Sequence, residues 1–182
     1  MRRLKARLTV AGWLLGVLGM VACSSGGGEK DTVNKEDWKI VFTYDGAEVE
    51  LPLEHMHVFL VEDEGQYPEV FEIAGQGVTL VGTFPMDCHV GYEENWPVLF
   101  GRSIVVDANG GAMDDKISHL QMPDGSKAFV VGGSLLPETL DGKIDGMEGD
   151  RTLRGTFTLR VRTSLGEEEI EGRFAVHCMT FG

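Results

Sequence analysis

The chain has 182 residues, 42% of them hydrophobic, and 16 Lys and Arg stand against 29 Asp and Glu for a formal charge of −13 at pH 7. That composition suits one folded domain with one core rather than a disordered segment. The acidic balance argues against nucleic-acid binding, which needs clustered cations to displace counterions, and against electrostatic docking on anionic lipid.

The chain opens with Arg2, Arg3, Lys5 and Arg7, continues with an apolar run from Leu8, and reaches Met20-Val21-Ala22-Cys23-Ser24-Ser25. A basic start, an apolar middle and small residues at a cut mark a secretory signal peptide. The run Leu8–Ala22 has 15 residues. At about 1.5 Å each, it is short for a hydrocarbon core about 30 Å thick, so it reads as a leader and not as a membrane span. The residues Met20 to Cys23 resemble the lipobox of bacterial lipoproteins, with Met20 where leucine is usual. The resemblance implies lipid on the Cys23 thiol, cleavage before Cys23 and acylation of the new amine, palmitate being the kind of chain involved. Several acyl chains on one residue give a stable membrane anchor. Ser24 follows where an aspartate would, by the same resemblance, signal inner-membrane retention, so the outer membrane of the cell envelope is the expected location. Loss of residues 1–22 takes four basic and no acidic side chains, leaving 12 basic against 29 acidic, a net −17.

Residues 23–37 begin Cys23-Ser24-Ser25-Gly26-Gly27-Gly28-Glu29-Lys30-Asp31, a small, polar tether behind the anchor. A single domain is expected over residues 38–182. Its periodicity is that of strands almost throughout. Trp38, Ile40, Phe42 and Tyr44 alternate with Lys39, Val41 and Thr43. Asp45-Gly46 then offers a two-residue turn before Val49 and Leu51 alternate with Glu48 and Glu50. Further runs fall at His55–Val61, Val70–Ile73, Val78–Phe84, Ser103–Val106, Ile117–Met122 and Lys127–Val131, the last two joined by Pro123-Asp124-Gly125-Ser126. Asp107-Ala108-Asn109-Gly110-Gly111 with Asp114-Asp115 reads as a loop.

The C-terminal hairpin carries the clearest pattern. Leu153, Gly155, Phe157, Leu159 and Val161 fall on one face, with Arg154, Thr156, Thr158, Arg160 and Arg162 on the other. After Thr163-Ser164-Leu165-Gly166, the return strand turns Ile170, Gly172, Phe174, Val176 and Cys178 inward and Glu167, Glu169 and Glu171 outward. This sets arginines opposite glutamates and places the inward glycines beside Phe174 and Phe157, where rings cover bare backbone. The expected fold is all-β, an antiparallel β-sandwich with a small β-barrel as the alternative, and no substantial helix beyond the leader.

With Cys23 lipidated, Cys88 and Cys178 remain as a pair, and in an oxidising compartment a disulfide is the default. Its loop of about 90 residues corresponds to roughly 4–5 kcal/mol by the chain-entropy estimate. The alternative is a copper or zinc site. Met86 and His89 flank Cys88, His177 and Met179 flank Cys178, and thioether, thiolate and imidazole form a soft ligand set. His55 and His57 add two imidazoles on one face of a strand. Asp141-Gly142-Lys143-Ile144-Asp145-Gly146 only partly matches a calcium loop, because Lys143 and Thr152 stand where oxygen ligands are needed. No nucleophile elbow, phosphate loop or dinucleotide fingerprint is present. His119 with Asp114 or Asp115 and a serine forms a triad on paper only. The expectation is a lipid-anchored, non-enzymatic envelope protein with a binding or structural role and no resident cofactor. A periplasmic copper or zinc binder is the second reading and an envelope hydrolase the third.

Overall fold

The computed structural model describes residues 37–60, 69–85, 99–110, 113–141 and 150–179. Two strands open the fold, β1 (Lys39–Tyr44) and β2 (Ala47–Leu60), joined at Asp45-Gly46, whose φ values of +49° and +77° fit a type I′ turn that follows the natural strand twist. Next come β3 (Glu69–Gly75), β4 (Val78–Thr83) and β5 (Ile104–Asp107). A small separate hairpin follows, β6 (Asn109–Gly110) and β7 (Met113–Ile117), where the sequence suggested only a loop. The last strands are β8 (His119–Gln121), β9 (Lys127–Asp141), β10 (Asp150–Thr163) and β11 (Gly166–Met179). No α-helix occurs among the described residues.

The class expected from the alternation is the class observed, an all-β antiparallel fold. The strand order β10-β11-β1-β2-β3-β4-β5-β9 is completed by pairing of β9 with β10, so the sheet returns to itself in the manner of a small barrel. Short β8 fits between β4 and β9 at one end. Eight strands enclose an interior just wide enough for side chains. Here it is filled by Ile40, Phe42, Met56, Phe71, Ile73, Leu80, Ile104, Leu135, Leu153, Phe157, Leu159 and Phe174, all essentially buried.

Two features set which residues reach the interior and which the surface. The first is a bulge in β2. Leu53 pairs with Gly75 but His55 pairs with Ala74, so Glu54 is the extra residue. Buried positions are odd before it, at Val49 and Leu53, and even after it, at Met56 and Val58. One added residue in a period-two element exchanges its faces. The second is the pair of inward glycines. Gly155 lies opposite Phe174 and Phe157 opposite Gly172. A Cβ on Gly172 would sit 2.5 Å from the Phe157 ring and collide with the Val41 carbonyl oxygen, and one on Gly155 would come within 2.9 Å of the Phe174 ring and collide with the Leu136 carbonyl oxygen. The bare backbone admits the neighbouring strand and the ring fills the space left.

The two ends of the barrel differ. The registers place the start of β1, the end of β2, the start of β3, the end of β4, the start of β5, the end of β9, the start of β10 and the end of β11 together. The opposite end carries tight turns at Asp45-Gly46, Gln76-Gly77 and Ser164-Leu165. At the hairpin of β10 and β11, Arg160 faces Glu169 and Arg162 faces Glu167, and the second pair closes to 2.6 Å. Exposed pairs of this kind contribute about 0.2–1 kcal/mol, which serves register more than stability.

A Gly172→Ala substitution is expected to destabilise the domain by about 1–3 kcal/mol through overpacking. The shift of the urea midpoint measures it, and an unchanged midpoint would show that the strands do not need this close approach.

Candidate functional site

Beyond the bulge, β2 presents His55, His57 and Phe59 on the outer face of the barrel. The two imidazoles stack with centroids 4.0 Å apart and planes 22° from parallel, and the Phe59 ring meets His57 edge-on at 5.8 Å. Across the strand boundary His57 faces Glu72 and His55 faces Ala74. The Glu72 carboxylate accepts from Lys116 Nζ at 3.1 Å, which ties β7 down over the sheet. Burial lowers the His57 pKa first and the neighbouring His55 next, with Glu72 opposing and His177 adding a further lowering. No hydrogen bond engages either ring among the described residues.

On the inner side of the same strand lies a pair of sulfurs. Cys178 faces Met56 in the single parallel pairing of β11 with β2, and its buried thiol donates to the Met56 Sδ at 3.9 Å. Among the described residues the thiol is free, and burial pushes its pKa far up, which leaves it a weak nucleophile. His177 points the other way and stacks on Trp38 at 4.6 Å and 13°. The buried Trp38 Nε1 in turn donates to Thr152 Oγ1 at 3.0 Å.

The histidines and sulfurs named from the sequence are therefore divided. His55 and His57 come together; His177 belongs to the tryptophan, and Cys178 to the core. Cys23, Met86, Cys88 and His89 lie outside the described residues, as does the Met179 side chain. No group of three or more His, Cys, Asp or Glu is gathered for a metal among the described residues. Glu72 escaped the sequence reading because its role depends on register. Only the pairing of β2 with β3 puts it opposite His57.

The row continues across the sheet, since Val81 pairs with Glu72 on one side and Asp107 on the other. Asp107 is held above the ordinary carboxylate range by burial, which outweighs the hydrogen bond it accepts from Thr83 Oγ1 at 3.3 Å. Ser118 is fully buried and its Oγ accepts the Val81 N–H at 3.0 Å, while His119 Nδ1 lies 3.1 Å from the Ile117 carbonyl oxygen. The adjacent serine and histidine thus serve the backbone. The Asp114 and Asp115 side chains are outside the described residues.

Next to β2, the outer face of β1, β10 and β11 forms a shallow trough of about 290 Å³, adjoined by another of about 300 Å³. Val41 and Ala175 floor it. Its rim is charged, with Lys39 on Glu50 at 2.8 Å, Arg154 on Asp141 at 3.3 Å and Arg173 on Glu48 at 3.5 Å.

Comparison of the chain with protein-family models, with curated proteins and with solved structures finds no match. The class defined by the fold is a small closed antiparallel β-domain with a side-chain-filled interior. No helix among the described residues is long and apolar enough to cross a membrane.

Because the neutral Asp107 carboxyl is favoured in the fold, its contribution is fully present below the unfolded pKa and is lost as pH rises through the folded value. Asp107→Asn, which retains an acceptor for Thr83, is therefore expected to raise the melting temperature at pH 7. The gain should vanish as the pH approaches 3. A variant destabilised at pH 7 would show that the charge is welcomed.

Proposed function

We propose that the protein is a lipid-anchored lipoprotein of the cell envelope, held at the outer membrane through Cys23, with a non-catalytic binding or structural role. The observation that carries this is the leader ending at Met20-Val21-Ala22-Cys23, followed at once by a tether of Ser and Gly. The fold supports it in two ways. The described domain begins at Asp37, on the barrel end opposite the tight turns, so the tether from Cys23 reaches one defined end. The apolar interior also directs recognition to the outer faces.

The occupied Ser118 and His119 support the non-catalytic reading. In an oxidising envelope Cys178 has Cys88, which lies outside the described residues, as its default disulfide partner. The net −17 of the segment after residue 22 suits a soluble domain standing off an anionic bilayer.

The test is detergent phase partitioning with labelling by an alkyne analogue of palmitate. The native chain should take up label and enter the detergent phase. Cys23→Ala should lose the label and retain the uncleaved leader. Equal labelling of both chains, or an unlabelled native chain, would overturn the proposal.

A further inference from the structure

We propose that His55 and His57 form a binding site for a single divalent transition-metal ion of the zinc or copper class on the outer face of β2. The site is independent of the lipid anchor. It also differs from a site built around the cysteines, because it uses neither sulfur nor the residues next to Cys88.

The two imidazoles are two positions apart beyond the Glu54 bulge, so they share a face and lie 4.0 Å apart, close enough for one ion to bridge them after a side-chain rotation. No hydrogen bond engages either ring among the described residues, so the nitrogens are not committed to structural work. Imidazole is the commonest metal ligand. Glu72 faces His57 across the strand boundary and supplies negative charge beside the site, held at present by Lys116 at 3.1 Å.

In nearly parallel rings the in-plane lone pairs run side by side, so binding requires one ring to turn out of the stack. With no third side chain gathered among the described residues, water completes the coordination. Imidazole suits zinc and copper, whereas magnesium and calcium prefer oxygen. His177 is the nearby imidazole that the site does not use, since Trp38 holds its ring.

The test is titration of the full-length chain in detergent with Zn²⁺ and, separately, Cu²⁺, followed by calorimetry and by the imidazole signals in NMR. One ion per chain is expected, with the His55 and His57 signals moving and those of His119 still. His55→Asn and His57→Asn should each lower the affinity about tenfold or more, since even supporting residues around a metal carry about that much. His119→Asn should leave it unchanged. Binding should weaken in acid, where protons compete with the ion for its ligands. Melting curves of the variants establish that they fold. Retained affinity in both variants, movement of other histidine signals instead, or no binding of either ion at 100-fold excess would overturn the proposal. A preference between Zn²⁺ and Cu²⁺ would identify the ion.

Discussion

The close approach of backbones at the inward glycines is the contact on which the rest of the barrel depends. A sheet of eight strands closes only if it coils tightly, and side chains at the inner corners obstruct that coiling. At Gly155 and Gly172 the obstruction is absent, and the carbonyl oxygens of Leu136 and Val41 occupy the space a Cβ would need. Phe174 and Phe157 then cover the exposed backbone from the opposing strand. The exchange is reciprocal, glycine against ring in both directions. It brings β9, β10, β11 and β1 to the curvature at which β9 and β10 can join ends of one sheet. Gly82, beneath the ring of Phe71, repeats the device on the other side of the interior.

A single extra residue determines where the chemistry stands. Had β2 continued without the bulge, odd positions would have stayed inward, and His55 and His57 would have entered the apolar interior while Met56 and Val58 faced water. The bulge reverses that assignment. Two imidazoles reach the surface and the Met56 sulfur goes inward to meet Cys178. The same reversal brings His57 beside Glu72 and, through Lys116, connects the imidazole face to the small hairpin of β6 and β7.

Much of the fold was legible in the sequence because alternation is a local signal. The faces of β10 and β11, the Arg and Glu register between them and the glycine and phenylalanine pairing follow from residues within one hairpin. What was hidden depends on long range. Continuity of β2 from Ala47 to Leu60 was obscured by the parity change at Glu54, which makes one strand read as two. Extension of β9 to Asp141 was masked by Pro137 and by Gly132-Gly133, residues that ordinarily end a strand and here sit near irregularities in its pairing with β10. At the candidate site the i, i+2 spacing of His55 and His57 was visible. The stacking of His177 on Trp38 was not, since those residues are separated by most of the chain.

Closure has a further consequence for a domain held at a surface. Anchored proteins collide in two dimensions at high local density, which is the condition under which unpaired strand edges recruit one another. Each of the eight strands in this ring is flanked by a neighbour on both sides, and β8 pairs with β4 and β9 alike. Where a strand is paired on both sides, its main-chain donors and acceptors are taken up within the molecule. On a domain held at a membrane as proposed, neighbouring copies would meet side chains there instead of open backbone.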